Sequence, residues 1–96
     1  VKIKNMISPR KVETIKFRIS NRMFQRLKNK PLHPSQSTCK ELDSTRFKGM
    51  KINVKYNIEL MRVILNLGSD IEIVEPAHIR KRVIKDLQKA LKLYDK

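Results

Sequence analysis

A chain of 96 residues with a single cysteine can bury one modest core, and it excludes both an internal disulfide and a cysteine-based zinc site. Lysine and arginine number 23 against 9 aspartates and glutamates, and the resulting formal net charge of +14 attracts polyanions without naming one. The longest apolar run, Val63-Ile64-Leu65, cannot span a bilayer, and Val1-Lys2-Ile3-Lys4 is not followed by the apolar region of a signal peptide. A reducing cytoplasm, with no membrane partner, is the expected setting.

A chain opening on valine is expected to be a fragment or a processed product. Residues 1–11 have no period and break at Ser8-Pro9, which reads as a linker or the end of a preceding domain; residues 12–96 read as one folded unit. In Val12–Ile19, Ile15, Phe17 and Ile19 share one face while Thr14, Lys16 and Arg18 share the other, the alternation of a half-buried strand. Ser20 is placed to cap a helix from Asn21 to about Lys28 with Met23, Phe24 and Leu27 inward, and Pro31 ends it. Gln36–Leu42 reads as a weak strand, Asp43-Ser44-Thr45 as a turn, and Arg46–Tyr56 as a long strand with Met50, Ile52, Val54 and Tyr56 alternating against Lys51, Asn53 and Lys55. Asn57 caps a second helix striped by Leu60, Met61, Ile64 and Leu65, and Gly68 stands where a left-handed C-terminal cap belongs. Asp70–Val74 gives a fourth strand, with Ile71 and Ile73 inward and Glu72 outward. Pro76 sits in the first turn of a third helix, whose stripe is Ile79, Val83, Leu87, Leu91 (or Ala90) and Tyr94 and whose other face carries Lys81, Lys85, Lys89, Lys92 and Lys96.

The order β-α-β-β-α-β plus a terminal helix predicts an α+β fold, the ferredoxin-like sandwich with an additional C-terminal helix. Right-handed crossovers place strands one and three in the middle of an antiparallel sheet, with two helices on one face. The extra helix must then cover its stripe on a sheet edge, on the opposite sheet face or on a second subunit.

The open sheet face is where RNA-recognition modules stack bases on aromatics. Here it carries Thr14, Lys16, Arg18, Lys51, Asn53 and Lys55, and no aromatic, so base stacking is disfavoured. A basic platform of Lys16, Arg18, Lys51 and Lys55 for phosphates stands against the plainer reading of a solvated surface. Arg82, Lys85 and Lys89 on the terminal helix invite the same two readings, a partner or phosphate contact or simply the wet side of an amphipathic helix. Catalysis has little to build on. His33 and His78 have no ligand-spaced partner, Cys39 lies mid-strand as a small hydrophobe would, and with two glycines there is no phosphate-cradling loop. No enzyme, metal or cofactor is expected.

Three pieces in order carry a resemblance: "PLHPSQ" (Pro31–Gln36), "NIELMRVILNLGSDIEIVEP" (Asn57–Pro76) and a last helix ending in Tyr94. Together, over roughly Val12–Tyr94, the chain resembles the WCX-type C-terminal extension of WYL-domain transcriptional regulators of bacteria. The resemblance implies a non-catalytic regulatory module, joined to preceding helix-turn-helix and WYL domains of one polypeptide. Such regulators are expected to be homodimers, with the module serving oligomerisation and the response to an effector, a nucleic acid or nucleotide in some members. No Trp-Tyr-Leu element or helix-turn-helix precedes Val12 here. Direct nucleic-acid binding by the basic sheet face and terminal helix is the alternative function.

In "KPLHPSQST", Pro34 restricts His33 to extended conformations, and Ser35 or Gln36 can bond backbone groups freed at the turn. His33 is expected to serve the turn; the competing role for His33, Ser35 and Gln36 is contact with a ligand or partner.

Overall fold

The computed structural model describes residues 11–95. The linker expected over residues 1–11 lies, Lys11 apart, outside them, as does Lys96. The elements are β1 (Val12–Ser20), α1 (Asn21–Asn29), β2 (Ser37–Thr38), β3 (Phe47–Lys55), α2 (Ile58–Leu67), β4 (Ile71–Glu75) and α3 (Ala77–Lys92). The strands form one sheet in the order β2-β3-β1-β4, antiparallel throughout, and β1 and β3 are its central strands. The fold is therefore α+β, with a four-stranded antiparallel sheet and three helices, the last at the C-terminus.

Alternation in β1 and β3 decides which face is filled. Ile15, Phe17, Ile19, Met50, Ile52 and Val54 are buried on one side, joined by Ile73 of β4. Leu27 of α1, Leu60, Met61 and Ile64 of α2, and Ile79 and Val83 of α3 close over them as one core. At about 1.5–3 kcal/mol for each large apolar side chain withdrawn from water, this cluster supplies most of what opposes chain entropy.

β2 is much shorter than the strand expected over Gln36–Leu42. After Thr38 the chain folds into a 3-10 turn at Lys40–Leu42, and Gly49 is the reason it can. A Cβ at Gly49 would strike the Cys39 carbonyl oxygen and lie 2.6 Å from the Leu42 Cβ, so only glycine lets the segment cross the strand this closely. The β3 edge remains satisfied there: Cys39 N–H donates to the Gly49 carbonyl at 2.9 Å, and Gly49 N–H donates to Asp43 Oδ1 at 2.7 Å.

Helix ends follow the expected residues with three corrections. Asn57 does cap α2, its Oδ1 accepting the Leu60 N–H at 2.9 Å. Ser20 makes no capping bond; its hydroxyl donates instead to Asp70 Oδ1 at 2.7 Å, which joins the end of β1 to the approach to β4. Gly68 has a positive φ of 54°, but its ψ of −121° lies outside the left-handed helical region and begins a 3-10 turn over Gly68–Asp70. Pro76 occupies the cap position just before α3 rather than its first turn, and its carbonyl accepts from Ile79 and Arg80 N–H.

α3 lies along the sheet edge formed by β4. His78 meets Glu13, while two residues on Arg80 reaches Glu72 and the Ile73 carbonyl, so the helix runs back against the direction of β4. Five strand residues span about 17 Å and sixteen helical residues about 24 Å, so α3 outruns β4. This mismatch corrects the expected stripe. Ile79 and Val83 are buried, but Leu87, Leu91 and Tyr94 are 45, 68 and 85% exposed.

Candidate ligand and nucleic-acid surfaces

Pro31–Gln36 bridges the end of α1 and the start of β2, and its side chains are tied internally. Gln36 Oε1 accepts the Leu32 N–H at 2.9 Å, and Gln36 Nε2 donates to the Leu27 carbonyl at 2.9 Å. That second bond takes up a carbonyl left open at the C-terminal end of α1. Ser35 Oγ accepts the Asn53 N–H at 2.8 Å and so extends the pairing along β3 beyond the two residues of β2. Its hydroxyl lies 2.7 Å from His33 Nδ1 and 3.2 Å from the Asn53 carbonyl. His33 Nδ1 also accepts the Ser35 N–H at 3.1 Å, so the neutral ring carries its proton on Nε2. All three residues of the motif are thus brought together, around a turn rather than a cavity.

The open face places Lys16, Arg18, Lys51 and Lys55 together as expected, with Lys16 opposite Lys51 across the central strands. Its electrostatics differ from those of a free cationic platform. Lys16 Nζ lies 3.3 Å from Glu41 Oε1 and 3.7 Å from Glu75 Oε2, and the hydrogen bond it donates to Glu41 holds the ammonium above its ordinary range. Glu41 in turn is held below the usual carboxylate range by the Cys39 thiol at 3.0 Å and by Lys16. Arg18 donates to the Leu42 carbonyl at 2.9 Å and to Glu72 Oε1 at 3.1 Å. Glu72 also receives Arg80 at 3.1 Å on its other oxygen. Burial pushes its carboxyl up, but the hydrogen bonds from Arg80 and Arg18 outweigh this and leave it below the ordinary range. Lys51 and Lys55 are exposed on the same face.

The carboxylates Glu41, Glu72 and Glu75 pair with the cations of this face, and none of them is among the contact residues expected from the sequence. Alternation already put Glu72 outward, beside β1 once the strand order is known. Glu41 could not be placed, because its position depends on the turn at Lys40–Leu42 over Gly49.

On α3, Lys85 and Lys89 are exposed, and Arg82 pairs with Asp86 at 3.6 Å. His78 Nε2 lies 2.9 Å from Glu13 Oε1, beside a shallow hollow of about 580 Å³ lined by Lys11, Val12, Glu13, Tyr56 and His78. The Cys39 thiol is pushed up by its bond to Glu41 and by burial, which disfavours the thiolate a nucleophile needs. Among the described residues no polar or charged side chain is buried, and no group of three His, Cys, Asp or Glu is placed to hold a metal ion. No helix among them is long and apolar enough to cross a membrane.

Two comparisons with known proteins bear on this arrangement. The family model of the WCX domain matches residues 11–91. A search of curated proteins finds no match.

Proposed function

The chain belongs to the WCX domain family, and on that premise we propose that it is a non-catalytic regulatory module of a WYL-type transcriptional regulator. The match over residues 11–91 is the observation that carries this reading, since it spans every strand and nearly all of α3. The strand order β2-β3-β1-β4 with two βαβ crossovers supports the finer assignment to the ferredoxin-like sandwich, with α3 as the added element. In this proposal the module follows helix-turn-helix and WYL domains of the same polypeptide, in a cytoplasmic homodimer. It contributes to oligomerisation and to the response to an effector. His33, Ser35 and Gln36 serve the module by fixing the crossover from α1 to β2.

The alternative, direct nucleic-acid binding on the sheet face, is weakened by one observation. Two of its four cations, Lys16 and Arg18, already face Glu41, Glu75 and Glu72 at 3.1–3.7 Å.

The test uses the complete polypeptide that carries this module. Deleting residues 12–96 should lower the sedimenting mass from dimer to monomer, leave the helix-turn-helix able to bind a single operator half-site, and abolish the change in DNA affinity caused by short single-stranded DNA. A truncated protein that stays dimeric and keeps that response would overturn the proposal.

A further inference from the structure

The stripe that seats Ile79 and Val83 in the core does not stop at the edge of the body. At about 100° per residue, Leu87, Leu91 and Ile84 follow the buried arc within about a further 100° of helix surface, and Lys92, Lys81 and Lys85 come next on the solvent side. Ile84, Leu87 and Leu91 are 42, 45 and 68% exposed, an apolar ridge between the body and a row of ammonium groups. Tyr94, 85% exposed, extends it beyond the helix end.

We propose that this ridge at the C-terminal half of α3 is a docking surface for an acidic amphipathic helix of a separate protein, seated on Leu87 and Leu91 and held by Lys85 and Lys92. Charge complementarity selects that occupant. Asp86 is the single acid of Ala77–Lys92, and it already faces Arg82. A second copy would therefore bring lysine rows together in a chain of net charge +14. Shape selects against a bilayer. Arg80 lies on the same side of the helix and reaches Glu72 and the Ile73 carbonyl, so β4 occupies that side along the N-terminal turns and leaves an apolar ridge of only about two turns, short for a membrane-binding face. Nucleic acid would use the lysines and leave the leucines idle. The proposal goes beyond the regulatory reading, because it concerns a partner outside the regulator's own chain, and it is tested on this chain alone.

The probe is a fluorescein-labelled 20-residue model helix with leucine on one face and glutamate on its flanks, titrated with the 96-residue chain at physiological salt. Leu87→Ser with Leu91→Ser, and separately Lys85→Glu with Lys92→Glu, should each weaken binding by about tenfold or more, the loss expected at an interface anchor. Lys51→Glu with Lys55→Glu changes net charge equally but should alter affinity by less than about twofold if charge acts locally. Circular dichroism checks that the variants stay folded, and the exposed positions chosen make that the expected result. Equal losses from the two charge pairs would overturn the proposal in favour of diffuse attraction. So would indifference to the leucine changes. A concentration-dependent dimer abolished by Leu91→Ser would assign the ridge to a second copy, and leucine-dependent binding to phosphatidylserine vesicles would assign it to a membrane.

Discussion

At Gly68, φ of 54° and ψ of −121° match the first central position of a type II′ turn, the mirror image of one that most residues adopt freely. Nothing lies within 4 Å of a Cβ built there, so any penalty for a side chain is conformational rather than steric. Asparagine tolerates the left-handed helical region but gains nothing at this ψ. Gly68→Ala and Gly68→Asn should therefore each cost about 1–3 kcal/mol, with asparagine no better than alanine. Urea midpoints at unchanged slope report this, and recovery of stability by asparagine would refute the assigned backbone. Gln36 presents a different single-residue problem, because its amide satisfies both the Leu32 N–H and the Leu27 carbonyl. Gln36→Ala should cost about 1–3 kcal/mol, more than His33→Ala, whose Nδ1 serves only the neighbouring Ser35. If His33→Ala proved the more damaging in thermal unfolding, the histidine would be doing more than shaping the turn.

Among the elements, β1, β3 and α2 were legible because each answers to a local rule: strict alternation in the strands, and an asparagine cap ahead of a leucine-rich stripe in the helix. β2 was not legible, since its length depends on Gly49, an opposing residue whose missing side chain admits Cys39–Leu42 over the strand. The periodic stripe of α3 was legible, but how much of it would be buried was not, because that depends on the length of β4. Ile79→Ala should accordingly cost about 2–5 kcal/mol, the range for emptying a core site, while Leu91→Ala should stay within about 0.5 kcal/mol in the isolated chain. Comparable losses at both positions in denaturant melts would mean that the helix end is covered. The ion network was the least legible part of the candidate site, because Glu41 reaches Lys16 only through the turn at Lys40–Leu42 over Gly49. It also predicts acid behaviour. Asp70 is held below the ordinary range by Arg22 and Ser20, and Glu72 by Arg80 and Arg18 against the opposing effect of burial. Carboxyls depressed in the folded state stabilise it above their unfolded pKa and lose that contribution as pH falls through the lower folded value. Stability should decline from about pH 5 downward, and less steeply in Glu72→Gln, when unfolding midpoints are followed across pH. Identical pH profiles for the two proteins would remove Glu72 from the account.

At the scale of the whole molecule, the net charge is +14, and the basic side chains of the described residues lie on several elements rather than on one. Glu41, Glu72 and Glu75 partly neutralise the centre of the sheet through Lys16 and Arg18. Lys51 and Lys55 on β3 and Lys81, Lys85, Lys89 and Lys92 on α3 lie on different elements and are exposed. The physical consequence concerns how affinity for nucleic acid depends on salt, rather than whether binding occurs at all. Each lysine near a phosphate releases counterions, so a localised platform loses affinity steeply and loses a discrete part of its salt slope when one member is removed. A diffuse distribution has no privileged member. The isolated chain should bind duplex DNA with a Kd of about 10⁻⁴–10⁻⁶ M at physiological salt, the range of non-specific association. Lys51→Glu and Lys89→Glu should then reduce the logarithmic salt slope by similar amounts, at most about one unit each. Fluorescence anisotropy from low to physiological salt measures both quantities. Submicromolar binding that survives Lys89→Glu but not Lys51→Glu would instead establish the sheet face as a specific phosphate site, with Lys51 at its centre and the acidic residues around Lys16 and Arg18 setting its boundary.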